Sequence, residues 1–227
     1  SAPSLARNPV KTDAGVVVIG LGRFGGAVAQ SLIRMGHEVL GIDEDPELVQ
    51  RWADDLTHVV QADTTDADTL RSLGVAEFQH VVVGIGTNLE ASVLTVLALS
   101  EMAIPQIWAK ALTINHGRIL ERTGAHHVVY PEMAMGERVA HLVTGKMIDF
   151  IEFDDGFAIV KTRAPAEAVG RTLEESALRS RHGITIVGVK RRGADFTYAR
   201  PETRVEAGDL LIVSGPTKLV EAFAALT

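Results

Sequence analysis

The sequence predicts an α/β chain: a doubly wound parallel sheet followed by a small α+β domain. Three observations carry this reading. Between residue 16 and about residue 143, short apolar runs alternate six times with segments of helical period. Such continuously apolar runs mark strands covered on both faces, as in a parallel sheet with helices on either side. A G-x-G-x-x-G run closes the first strand and opens a helix. After Lys146 the alternation gives way to paired strand-like runs around turn signals, the pattern of hairpins.

VVVIG (16–20) is the first strand, and Phe24, Val28, Leu32 and Met35 follow at helical spacing. EVLGID (38–43) is the second strand. Pro46 suits the first position of the next helix, where its missing N–H has no partner to lose. HVVQAD (58–63) and a helix near 66–73 come next, then HVVVGIG (80–86) and a long helix over 88–102. Asn88 is fit to cap that helix. QIWAKA (106–111), a helix near 115–122, HHVVYP (126–131) and an exit helix over 132–144 complete the first block.

In the second block, DFIEFDDGFAIVKTRA reads as two strands around Asp154-Asp155-Gly156. A helix is expected over 172–179, and GITIVGVKRRGADFTYARP forms a hairpin turning near Gly193. DLLIVSG (209–215) is a strand, and Pro216 opens a last helix ending near Leu226. The expected domains are a flexible leader at 1–14, the sheet domain at 15–145 and the α+β domain at 146–227. A unit of about 80 residues buries a modest core, so pairing with another copy would stabilise it.

Of 227 residues, 46% are hydrophobic and 22% charged, which is ordinary globular usage. Lys and Arg number 22 against 29 Asp and Glu, for a net charge of −7, without a cationic run. Nucleic acid is therefore not an expected partner. The absence of cysteine excludes disulfides, thiolate catalysis and Cys-ligated zinc. No apolar run approaches the ~18 residues of a membrane span, and the first 15 residues lack the apolar core of a signal peptide. The eight histidines show no compact metal-ligand spacing, and His126-His127 beside a strand reads as structural.

Gly20-Leu21-Gly22-Arg23-Phe24-Gly25 lies between a strand and a helix inside a βαβ unit, the context that turns a glycine motif into a Rossmann-like phosphate cradle. Gly20 permits the tight turn, Gly22 lets a phosphate approach the backbone, and Gly25 lets the helix pack on the strand. The helix N-terminus adds free N–H groups and a positive dipole end. Asp43, eighteen residues past Gly25, ends the second strand with Glu44 beside it. A carboxylate there accepts both ribose hydroxyl protons and repels a 2′-phosphate, favouring an adenine nucleotide or NAD over NADP.

Arg23 beside the cradle suits a ligand richer in phosphate charge, such as ADP or ATP, because guanidinium pairs bidentately with phosphate. Other candidates sit where ligands bind in open α/β sheets, beyond the carboxyl ends of the strands. Asp63 and Thr64 end the third strand, and Ile85, Gly86, Thr87 and Asn88 end the fourth. Lys110 ends the fifth, and Glu132 follows the sixth. Thr64, Thr87 and Asn88 serve equally well as helix caps. Lys110 offers phosphate a point charge, and one carboxylate plus nucleotide phosphates is the usual way a protein holds Mg²⁺.

An NAD-dependent oxidoreductase would rest on Gly20, Gly22, Gly25 and Asp43 alone. Beyond Thr144 the only histidine is His182, with no constellation for acid–base work. The residues therefore favour a non-enzymatic nucleotide-binding protein. A scaffold that holds its nucleotide constitutively is the third reading.

The stretches VIGLGRFGGAVAQSLIRMGHEVLGID (18–43), GIGTNLEASVLT (84–95), IWAKA (107–111) and YPEMAMGERVA (130–140) resemble the RCK-domain family of the KtrA/TrkA type. SRHGITIVGVKRRG (180–193) resembles that family's C-terminal domain. The resemblance implies a regulatory subunit of a K⁺ uptake system, cytoplasmic and held to the inner face of the membrane by a K⁺-translocating partner. It implies a homo-oligomeric ring, usually of eight, whose shape gates the partner according to whether ATP or ADP occupies the crevice, with NAD or NADH as further ligands. By position it sets Arg23 on the terminal phosphates and Asp43 on the ribose. Asp63, Lys110 and His116 would line the nucleotide, and Glu132 would join a Mg²⁺ or other cation site shared with a neighbouring subunit. In some members the C-terminal domain binds cyclic di-AMP between subunits, and Arg179 and Arg181 are the cations nearest the matching segment.

Overall fold

In the computed structural model, residues 15–227 are described; the expected leader, 1–14, lies outside the described residues. Six parallel strands form the first sheet: β1 (Val16–Ile19), β2 (Val39–Asp43), β3 (His58–Gln61), β4 (His80–Val83), β5 (Gln106–Lys110) and β6 (His127–Val129). Their order is β3-β2-β1-β4-β5-β6, so the order reverses at β1. The register pairs Val16 with both Val39 and His80.

Side chains of β1 alternate between two cores. Val17 and Ile19 join Ile42, Leu99 and Leu120 on one face. Val16 and Val18 join Leu21, Ala29 and Val39 on the other. Both sets are buried, which is why the strand reads as an unbroken apolar run instead of an alternating one.

The connecting helices are α1 (Arg23–Arg34), α2 (Pro46–Trp52), α3 (Ala67–Ser72), α4 (Leu89–Glu101) and α5 (Ile114–Thr123). Four of them start on side-chain caps: Asp45, Asp66, Asn88 and Thr113 each accept a backbone N–H of the first turn. At α1 the cap is Gly22, which has no side chain to do this. The first-turn N–H groups of α1 therefore keep their capacity for an external anion.

Packing divides the chain into two compact units between Glu132 and Met133. The helix α6 (Pro131–Thr144) starts at this division. The second unit holds an antiparallel sheet in the order β10-β9-β11-β8-β7. Its strands are β7 (Met147–Phe153), β8 (Phe157–Arg163), β9 (Thr185–Lys190), β10 (Phe196–Tyr198) and β11 (Leu210–Pro216). Phe150, Val160, Leu178, Leu211, Val213 and Phe223 fill its core, the last from α9 (Thr217–Ala224). The β7–β8 turn sets Asp155 and Gly156 at φ of 68° and 73°, a left-handed pair that Asp and Gly tolerate best.

One expected helix is interrupted. Residues 172–179 hold α7 (Leu173–Ser176), and the chain then bends at Ala177 (φ 49°) before α8 (Leu178–His182). Left-handed backbone costs an alanine about 1–2 kcal/mol. The bend delivers Leu178, 1% exposed, into the core, and burying a leucine contributes about 1.5–3 kcal/mol. No helix among the described residues is long and apolar enough to cross a membrane.

Candidate functional site

The glycine loop is shaped by two close contacts that no other residue type would allow. Gly20 adopts φ +85°, and a Cβ there would lie 2.9 Å from the carbonyl carbon of Gly84. A Cβ on Gly25 would lie 1.6 Å from the carbonyl oxygen of Gly20. Gly22 is different: its Cβ would meet nothing within 4 Å, so the loop backbone there faces open space.

Two side chains hold the loop from behind. The Asp43 carboxylate accepts from Leu21 N at 2.7 Å and from Asp45 N at 2.9 Å. Trp52 donates Nε1–H to the Leu21 carbonyl at 3.0 Å. Asp43 thus ties the end of β2 to the cradle and keeps spare lone pairs for a further donor.

These elements border a crevice of about 510 Å³ at the carboxyl ends of the strands, within the range of small-molecule sites. From the loop, Gly20, Gly22, Arg23 and Phe24 line it. Asp43 and Glu44 face it from the end of β2, and Asp63 and Thr64 from the loop after β3. Ile85, Gly86, Thr87 and Asn88 border it beyond β4, and Lys110 and Glu132 close the far side. The strands β3 and β4 stop two to three residues earlier than the sequence suggested, which puts Asp63 and Gly86 on loops that can reach over the crevice.

Three expected residues stand behind it. Leu21 is 1% exposed and sends its side chain into the core, so only its backbone serves the loop. Gly25 is buried against β1. His116 is not among the lining residues: it is 1% exposed, with Nε2 2.7 Å from Ser92 Oγ and Nδ1 accepting from Leu112 N at 3.2 Å. Burial pushes its pKa below the ordinary imidazole value, because a charged ring would lose its hydration. A neutral ring bonded on both nitrogens fixes the turn after Lys110.

The lining also includes residues that sequence reasoning did not single out: Leu48, Ala62, Thr65, Ala91 and Leu112. Leu48 and Ala91 lie in the first turns of α2 and α4, next to the expected positions, and helix start signals could have found them. Thr65 donates both N–H and Oγ–H to Asp63, which holds that carboxyl below its usual pKa.

Charge is sorted across the crevice. Asp43, Glu44 and Asp63 lie at the β2–β3 side, where they suit neutral hydroxyl donors. Arg23 stands on the first turn of α1, exposed and without an ion pair among the described residues. Lys110 is 9% exposed, binds Glu132 Oε1 at 2.7 Å and lies 5.8 Å from the Phe24 ring centroid. That ammonium holds the Glu132 carboxyl below its usual pKa. Glu132 keeps most of its surface exposed, so its carboxylate stays open to a further donor or cation.

In the second unit, Arg179 and Arg181 are exposed on α8, and Arg181 pairs with Glu167 at 2.7 Å. Neither lines that unit's cavity, which Arg163, Lys190, Arg191 and Arg192 border.

The chain matches the TrkA-N domain over residues 16–131 and the TrkA-C domain over residues 157–227. It is 37% identical over 207 residues to Ktr system potassium uptake protein A of Bacillus subtilis (strain 168), covering 91% of this chain and 93% of the relative. Among solved structures it resembles the GsuK RCK domain, with a TM-score of 0.68 and 21% identity over 97% of this chain. It also resembles the GsuK channel bound to NAD, with a TM-score of 0.66 and 22% identity over 97% of this chain. The chain spans 49% and 40% of those two chains, and at such identity the likeness is one of fold.

Proposed function

The chain belongs to the TrkA-N/TrkA-C family of potassium-uptake proteins, and from that premise we propose that it is the nucleotide-sensing regulatory subunit of a K⁺ transport system. Its crevice takes an adenine nucleotide, ATP or ADP, with NAD or NADH as alternatives. The observation that carries this reading is the uncapped start of α1: Gly22 leaves room before bare N–H groups, and Arg23 stands beside them without a partner among the described residues. A dipole end, free donors and a guanidinium together suit phosphates. That NAD occupies a GsuK channel of the same fold supports the same use of this crevice.

Each remaining residue then has a role. The Asp43 oxygens, already aligned by Leu21 N and Asp45 N, accept the ribose hydroxyls. Leu48 and Ala62 give an apolar wall to the base. Lys110 sets positive charge near the phosphates, and Glu132 shares a cation such as Mg²⁺ with them.

The regulatory step follows from charge. ATP and ADP differ by one phosphate, and a ligand shifts a conformational equilibrium only by its differential affinity for the two states. A coupling of about 1–3 kcal/mol changes affinity ~5–150-fold. Copies assembled in a ring beneath a membrane subunit, on the cytoplasmic face, would add their shifts and open or close that subunit.

Small-angle scattering with native mass spectrometry tests this on the full chain. ATP and ADP should leave the stoichiometry unchanged and give distinct scattering profiles. Identical profiles at saturation would mean that the nucleotide is a constitutive scaffold.

A further inference from the structure

In the second unit, four side chains from three elements converge on one imidazole. His141 of α6 stacks on Phe150, ring centroids 4.2 Å apart. Its Nδ1 lies 2.6 Å from Glu221 Oε1, on α9. Its Nε2 faces Glu152 Oε2, on β7, at 3.7 Å. Glu137 stands one helical turn before His141, and one ligand atom each from Glu137, His141 and Glu152 lie within 4.8 Å of one another.

A carboxylate can only accept, so the short contact to Glu221 places a proton on Nδ1. Nε2 faces Glu152 Oε2 at 3.7 Å, too long for a hydrogen bond. With Nδ1 given to Glu221, the Nε2 atom and the Glu137 and Glu152 carboxylates bring three ligand atoms to one place, an arrangement that a divalent cation bridges. The distances suit one: ligands of a tetrahedral ion with bonds of ~2.0–2.2 Å stand roughly 3.3–3.6 Å apart. Glu137 is exposed and free to swing inward by the remaining ångström. Phe150 and Glu221 act as the outer support that fixes ring plane and tautomer at metal-binding histidines. Thr217 Oγ donates to Glu152 Oε1 at 3.2 Å and orients the second carboxylate. Arg138, next to Glu137 on α6, is engaged by Asp149.

We propose that Glu137, His141 and Glu152 form a binding site for a first-row divalent cation of the Zn²⁺ type, with Glu221 as the residue that positions the imidazole. One nitrogen and two oxygens leave a coordination position for water. An imidazole ligand favours Zn²⁺ over Mg²⁺ or Ca²⁺, which prefer all-oxygen sites. The site is separate from Glu132 and does not depend on the nucleotide reading.

Calorimetric titration of the metal-free full chain with Zn²⁺, in a buffer that does not chelate it, is the test. Co²⁺ absorption reports the nitrogen–oxygen ligand field. One saturable equivalent is expected. His141→Gln and Glu152→Gln should each weaken it at least tenfold, and Glu221→Gln by roughly 10–100-fold. Glu137→Gln alters only an exposed side chain, so it carries the test should His141→Gln fail to fold. Absence of saturable binding, or binding unchanged in Glu137→Gln and His141→Gln, would overturn the site.

Discussion

Replacing Gly25 by alanine should abolish nucleotide binding and destabilise the first unit by about 3 kcal/mol or more. A new Cβ would sit 1.6 Å from the Gly20 carbonyl oxygen, inside any allowed separation. Backbone presses on backbone here, so no rotamer change relieves the contact. Either α1 moves off β1 or the Gly20 turn opens, and Gly20 is itself held at φ +85° against Gly84. Thermal unfolding should show a fall of roughly 10 °C. Gly22→Ala supplies the contrast. Its φ of −69° suits any residue and its Cβ meets nothing, so the loss should stay within about 1 kcal/mol, the margin by which alanine is a poorer helix cap than glycine. Nucleotide binding should nevertheless weaken, because the methyl group enters the space through which a phosphate nears the backbone. If Gly25→Ala melts and binds as the parent does, the cradle is misassigned.

Arg23→Ala should weaken ATP about tenfold or more, and ADP by clearly less. A hydrogen bond to a charged group contributes about 1.5–3 kcal/mol, and only the terminal phosphate distinguishes the two ligands. The side chain is exposed and has no ion pair among the described residues, and alanine is the strongest helix former. Unfolding should therefore be unaffected, which separates a sensing role from a structural one. Paired calorimetric titrations of both ligands give the comparison. Equal losses for ATP and ADP would leave Arg23 as a general phosphate contact.

Much of this site was legible in the chain because it lies on local signals. Apolar runs such as VVVIG mark strands with both faces covered, and Gly20, Gly22 and Gly25 have spacings set by one turn and one helix contact. Pro46 and Asn88 mark helix starts by chemistry confined to a few residues. Other features depend on tertiary contacts. His116 follows Lys110 closely in sequence, but its ring turns inward to Ser92, 24 residues away. The break at Ala177 comes from what Leu178 gains in the core, and the local sequence favours an unbroken helix.

Glu137 and His141, one turn apart on α6, were not singled out in the sequence, where the histidines read as having no compact metal-ligand spacing. Their partners come from the next strand (Glu152) and from a helix eighty residues on (Glu221), a convergence that no spacing rule encodes. Strand ends were overestimated for β3 and β4 for a related reason. Asp63 and Gly86 continue the apolar segments, but Asp63 closes a turn on Thr65, and Gly86 lies beyond the last paired residue of β4, Val83.

Calorimetric titration of the nucleotide-free chain with ATP, ADP and NAD puts the crevice to its sharpest test. Saturable binding at one site per chain, with ATP and ADP differing in affinity, is the predicted result. If none of the three binds at millimolar concentration while the chain remains folded, the bare amides of α1 and the Arg23 guanidinium do not form a nucleotide sensor.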